Sequence, residues 1–176
     1  MEFTHKDLCK IADKWLGKSK KENIRFQKFP IHVSEMVCTS VNETPDAIGW
    51  NYCSSCVIEV KVSRSDFFAD RNKPFRTNGE AMGNFRYYLV PENLIKENEL
   101  PEGWGLIYVD AKGRTKEIKK SDFFSLTNIG LINEKDYLYS IARRFMEANK
   151  EKNTKKKSNG GPDLWANKPI WPIKKK

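Results

Sequence analysis

Histidine is nearly missing from this chain of 176 residues, which holds two, and cysteine is sparse at four. With His5 and His32 alone, a metal centre built from several histidines is excluded, and no Ser/His/Asp triad is readable. Cys53-Ser54-Ser55-Cys56 stands without a second CxxC, whereas a structural zinc site takes four ligands. Cys38 and His32 would complete one only if the fold carried them there. A redox reading would need a helix to begin after the first cysteine, but these residues lead into a strand. A turn with one buried cysteine is the expectation. Glycine-rich phosphate loops of the GxxxxGK type are absent, which removes P-loop nucleotide chemistry. No apolar run approaches the roughly 18 residues of a membrane helix, and Met1-Glu2-Phe3-Thr4-His5-Lys6-Asp7 is no secretory leader. A cytoplasmic protein with reduced thiols and no membrane partner is expected. No internal repeat is visible.

An excess of positive charge is also lacking through most of the chain. Lys and Arg number 32 against 23 Asp and Glu, a net +9, but residues 150–176 hold nine lysines and two acids and so carry seven of those charges. This Lys/Asn/Gly/Pro-rich end, with Lys155-Lys156-Lys157-Ser158-Asn159-Gly160-Gly161-Pro162 in it, has too little apolar surface to fold alone. Trp165 and Trp171 suit it either to grip nucleic acid by charge and stacking or to pack back on the body. The expected organisation is one domain over 1–149 and a basic, flexible tail over 150–176.

Apolar residues are plentiful, at 39% overall and 12% aromatic, enough for a core in a domain of this length. Thr4 followed by Asp7 predicts a capped helix over 4–16 with the stripe Leu8, Ile11, Ala12, Trp15 and Leu16, closed by Gly17. Strands are expected at 31–38, 46–50, 56–62, 86–90, 105–109 and 116–118. In the third, Ile58, Val60 and Val62 face one way and Glu59, Lys61 and Ser63 the other. A helix capped by Ser63 or Ser65 should run to Asn72, and a last helix capped by Asn133 should cover 134–149 with Leu138, Ile141, Ala142 and Phe145 as its apolar face. This mixture predicts an α/β or α+β sandwich.

The chemistry is carried by Pro45-Asp46 and, thirteen residues beyond Asp46, Glu59-Val60-Lys61. On a strand Glu59 and Lys61 share a face about 6.6 Å apart, and pairing with the preceding strand brings Asp46 beside Glu59. Two carboxylates so close repel unless a cation lies between them, and oxygen ligands suit a hard ion such as Mg²⁺. Lys61 would then orient or help deprotonate an attacking water and offset charge in the transition state.

This constellation resembles the PD-(D/E)xK nuclease superfamily. Ile58-Glu59-Val60-Lys61-Val62-Ser63-Arg64-Ser65-Asp66-Phe67-Phe68-Ala69-Asp70-Arg71, Arg86-Tyr87-Tyr88-Leu89-Val90-Pro91 and Leu100-Pro101-Glu102-Gly103-Trp104-Gly105-Leu106-Ile107 are similar to its MmcB-like, DNA-repair-associated branch, over residues 31–120. The resemblance implies a restriction-endonuclease-like α/β fold, a mixed β-sheet core flanked by helices. It also implies Mg²⁺- or Mn²⁺-dependent hydrolysis of phosphodiesters in DNA, in repair or in phage or defence systems. Asp46 and Glu59 would hold the ion, the Val60 carbonyl would add a ligand, and Lys61 would assist the water.

Other residues have a place around this core. Glu35 is a candidate accessory acid or an exposed strand acid, and Ser63 either joins the Glu59 face or caps the helix. Arg64, Arg71, Lys73 and Arg76 suit phosphate contacts. Asp66, Asp70 and Lys73 share a helix face, which either lines the cleft or, the favoured reading, forms solvent-exposed ion pairs. Gly79, Gly83 and Asn84 suggest a flexible flap over substrate. A second class of function stays open, a nucleic-acid- or protein-binding module that keeps the fold without hydrolysis. So does a third, action on small nucleotides or a phage-type counter-defence role.

Overall fold

The structure is a computed structural model that describes residues 3–18, 29–70, 73 and 80–158. The contacts divide the chain into Met1–Tyr137 and Leu138–Lys176. The first unit is α/β, with a six-stranded mixed sheet. Helix α1 (His5–Gly17) precedes β1 (Ile31–Ser34), β2 (Ala47–Trp50) and β3 (Ser55–Val60). Helix α2 (Arg64–Asp70) then leads to β4 (Phe85–Pro91), a 3₁₀ turn (Glu97–Glu99), β5 (Gly105–Val109), β6 (Thr115–Lys119) and α3 (Asn128–Ser158). The strands lie side by side in chain order. β1, β2 and β3 form an antiparallel meander, β4 and β5 continue parallel to β3, and β6 returns antiparallel.

Helix α1 starts where its sequence says. The Thr4 hydroxyl accepts from the Asp7 N–H while the Asp7 carboxylate accepts from the Thr4 N–H, a closed capping box. Its stripe of Leu8, Ala12, Trp15 and Leu16 packs on Ile58 and Val60 of β3, Tyr87 and Leu89 of β4, and Ile107 and Val109 of β5. The opposite sheet face is covered by α2, where Phe67 packs with Tyr88, Val90, Ile95, Trp104 and Leu106. Alternation along β4 thus sends Tyr87 and Leu89 to one layer and Tyr88 and Val90 to the other. With both faces covered, β4 is apolar without a break from Tyr87 to Val90. Tyr88 stacks on Trp104 at 4.5 Å and meets Phe67 edge-on at 5.0 Å.

Several expected boundaries move. β1 ends at Ser34 because Glu35 turns to φ 51°, a left-handed conformation that breaks the ladder. β3 ends at Val60, so Val62 is exposed instead of continuing the Ile58/Val60 face. α3 begins at Asn128, six residues before the expected start. Thr127 Oγ1 accepts from the Gly130 N–H there, so Thr127, and not Asn133, serves the first turn. The anchors of its first turns are Glu134 and Tyr137. Glu134 accepts from the Trp50 indole, the Ser55 hydroxyl and the Gly83 N–H, and Tyr137 donates to the Met36 carbonyl. A buried carboxylate with three donors is invisible to a search for apolar periodicity. In the second unit α3 continues to Ser158, into the segment expected to be a tail, and Ala142 and Phe145 of the expected apolar face are exposed. Trp165, Trp171 and the closing lysines lie outside the described residues. No helix among the described residues is long and apolar enough to cross a membrane.

Candidate active site

The β2–β3 register pairs Ala47 with Ile58, so one further step places Asp46 opposite Glu59. The Val60 N–H donates to Asp46 Oδ2 at 2.8 Å, which fixes that carboxylate across the strand pair. The Glu35 N–H donates to the Asp46 carbonyl at 2.9 Å. Glu35 therefore steadies Asp46 through its backbone, and its side chain is exposed yet close enough for its charge to be felt at Cys9.

Glu59 and Lys61 fall on the α2 side of the sheet, in keeping with the alternation that puts Ile58 and Val60 under α1. Both are buried, at 1% and 3% exposure. Lys61 Nζ lies 3.4 Å from Glu59 Oε2 and 3.2 Å from Asp70 Oδ1. Lys73 Nζ reaches Asp70 Oδ1 at 2.7 Å and Glu59 Oε2 at 3.9 Å, and the Tyr88 hydroxyl donates to Asp70 Oδ2 at 2.7 Å. The β3–β4 register explains Tyr88, which stands beside Glu59. Two carboxylates and two ammonium groups thus alternate beneath α2. Burial lowers the pKa of Lys61, but the Glu59, Asp70 and Asp46 charges outweigh it and hold the amine above its ordinary value. At neutral pH Lys61 is an ammonium, suited to orient a water and offset negative charge and unsuited to accept a proton.

Asp70 corrects the expectation of exposed ion pairing for the Asp66, Asp70 and Lys73 face, because it closes the last turn of α2 at 1% exposure. Ser63 does its capping job, its hydroxyl accepting from the Asp66 N–H at 3.2 Å. Arg64 is held by both carboxylate oxygens of Glu99 and by the Leu94 carbonyl, over the Phe68 ring. That pairing pushes Glu99 down to about 2 and keeps Arg64 away from the cluster. Of the expected phosphate contacts among the described residues, Arg64 and Lys73, only Lys73 is brought to the cluster; Arg71 and Arg76 lie outside the described residues. Gly83 and Asn84 are pinned, not loose: the Gly83 N–H is bound by Glu134, and the Asn84 side chain joins Ser55 to the Phe124 carbonyl. Gly79 lies outside the described residues.

On the other side of Asp46 stands α1. His5 Nε2 lies 3.2 Å from Asp46 Oδ1, and His5 Nδ1 lies 3.5 Å from Cys9 Sγ. Burial, with the Asp46, Glu35 and Glu59 charges added, pushes the Cys9 thiol up to about 12. The motif itself gave no sign of these two residues, because they precede Asp46 by 41 and 37 positions. Only their i, i+4 spacing on a capped helix was available. Cys53 and Cys56 do not converge with Cys38 and His32. Cys53 is exposed, Cys56 is buried in β3, His32 pairs with Asp13 at 2.8 Å, and Cys38 meets Ser40 and the Asp136 carbonyl.

No known family model matches the chain, and no curated protein does. Among solved structures it is similar to the SPO1766 protein of unknown function from Silicibacter pomeroyi. The identity is 21%, over 69% of this chain and 80% of that one, with a TM-score of 0.50. At that identity the likeness concerns the fold alone.

Proposed function

We propose that the chain is a metal-dependent nuclease of PD-(D/E)xK type, with a restriction-endonuclease-like core, that hydrolyses phosphodiester bonds in DNA. The observation that supports this reading is the placement of Asp46 opposite Glu59 on paired strands, with the Lys61 ammonium 3.4 Å from Glu59. The donor set fits a hard cation, since both carboxylates offer oxygen on one strand pair and Val60 adds a backbone carbonyl. Asp46 and Glu59 would hold Mg²⁺ or Mn²⁺, which supplies an activated water and neutralises charge on the phosphoryl oxygens. Lys61 orients that water and stabilises charge on the phosphate. Asp70 and Tyr88 hold Lys61 in place, and Lys73, whose side chain is 41% exposed, is a basic residue at the cluster that an arriving phosphate can reach.

The test is cleavage of single- and double-stranded DNA and RNA with Mg²⁺ or Mn²⁺ by the purified chain. Glu59→Gln, Asp46→Asn and Lys61→Ala should each lower cutting about 10²–10³-fold. No cutting of any of these substrates, or cutting unchanged by Glu59→Gln, would end the proposal.

A specific observation favours the binding-module reading as the second choice. Two lysines already compensate Glu59, and His5 Nε2 lies against Asp46 Oδ1, so both carboxylates already have partners within the protein. On that reading DNA binding falls steeply with salt, survives Asp46→Asn, and weakens when residues 159–176 are removed with α3 left whole.

A further inference from the structure

The acidic pair accounts for Asp46 and Glu59 but leaves His5 and Cys9 without a task. They sit one turn apart on α1, so their side chains share a face. That face meets Asp46 Oδ1, while Oδ2 is occupied by the Val60 N–H. One donor atom from each of His5, Cys9 and Asp46 falls within 4.8 Å of the other two. Tetrahedral zinc, with bonds of about 2.0–2.3 Å, sets its ligands about 3.3–3.6 Å apart. His5 meets Cys9 through Nδ1 and Asp46 through Nε2, and a ring lends one nitrogen to an ion, so the site closes by a turn of the half-exposed imidazole together with an inward movement of the three donors.

We propose that His5, Cys9 and Asp46 form a second cation site, for a borderline ion of the Zn²⁺ class, distinct from the oxygen-lined site and sharing only Asp46 with it. A thiolate, an imidazole and one carboxylate are a poor set for Mg²⁺, which takes oxygen ligands and keeps its waters, and a good one for Zn²⁺ or Co²⁺. Three protein ligands leave one position open, as in zinc sites that bind a water or a substrate atom. The way in is open, because the side chains of His5 and Asp46 are 44% and 20% exposed, whereas Cys9 closes the inner end from within the α1 core. The Asp46 orientation is set before an ion arrives, by the Val60 N–H, which is the kind of support that ligand carboxylates need. On binding, the Cys9 S–H bond breaks, its proton passes to solvent and the sulfur electron pair goes to the ion, with no change in oxidation state.

The site stands apart from the hydrolytic reading, and a test by absorption keeps the two separable. Co²⁺ titrated into the full chain should give a sulfur-to-metal charge-transfer band at one ion per chain, which Zn²⁺ removes and excess Mg²⁺ does not. Cys9→Ser should abolish the band, and His5→Ala and Asp46→Asn should each weaken Co²⁺ binding at least tenfold. Cys53→Ser, at an exposed turn, should leave it unchanged. Because Cys9 is in the core, His5→Ala, on a partly exposed side chain, carries the test if Cys9→Ser unfolds. A wild-type chain with no charge-transfer band at excess Co²⁺, or a band equally strong in Cys9→Ser and His5→Ala, overturns the proposal. If the band behaves as expected but DNA is not cut, the second site stands and the nuclease reading falls.

Discussion

The two faces of the sheet are built from the same strands and solve opposite problems. Under α1, Ile58, Val60, Leu89 and Ile107 meet an apolar helix stripe, and the layer holds mainly by burial, its polar contacts lying at the rim. Under α2, the next residue along β3 is Glu59, and the layer beside Phe67 and Tyr88 takes in two acids and two lysines. Dispersion and burial tolerate small misfits, whereas buried charges depend on each partner being in place. The α1 layer is therefore the scaffold, and the α2 layer is where a substrate or a substitution is felt most sharply.

The largest expected difference comes from Asp70. Asp70→Ala leaves Lys61 buried without its second carboxylate and Tyr88 without its acceptor, and should cost about 3–5 kcal/mol, read from urea denaturation. The matched change on the α1 face, Ile58→Val, removes one methylene from a layer that can settle, and should cost about 0.5–1.5 kcal/mol. Equal losses for the two would erase the contrast between the layers.

The smallest effect at neutral pH is in titration, and it separates the cluster from the surface. Lys61 is raised above its ordinary 10.5, so its contribution to stability is whole below that pH and is lost as the pH climbs through the higher folded value. Glu99 is lowered from 4.5 to about 2, so its contribution is whole above 4.5 and is lost as the pH falls towards 2. Denaturation midpoints measured across both windows should show a shallower acid slope in Glu99→Gln, with Asp7 and Asp110 supplying the remainder, and a shallower alkaline slope in Lys61→Met, with Cys9 and Tyr87 supplying the remainder. A Glu99→Gln variant that keeps the full acid slope would show that the exposed Arg64 pair adds nothing there.

Local rules carried the reading of the sequence far in some places. Thr4 with Asp7 marked the start of α1, and the alternation around Glu59 marked β3 and its two faces. The meeting of Asp46 with Glu59 followed from strand pairing between neighbours in sequence. What escaped was long-range. Asp70 looked like one more acid on a surface helix, because nothing local says that Tyr88 will stand over it. Glu134 broke the apolar pattern of α3 and is nevertheless its anchor, since its partners Trp50, Ser55 and Gly83 are more than fifty residues away in the chain. The approach of His5 and Cys9 to Asp46 likewise needs α1 folded back on the sheet.

The four thiols turn this architecture into a set of chemical clocks. Cys53 is exposed on the β2–β3 turn, while Cys9, Cys38 and Cys56 are buried in α1, in the loop after β1 and in β3. A thiol reagent meets Cys53 at once but reaches each of the others only when its own part of the molecule opens. Labelling at Cys9 times the lifting of α1, and labelling at Cys56 times the parting of the central strands, so one reagent reports which layer yields first.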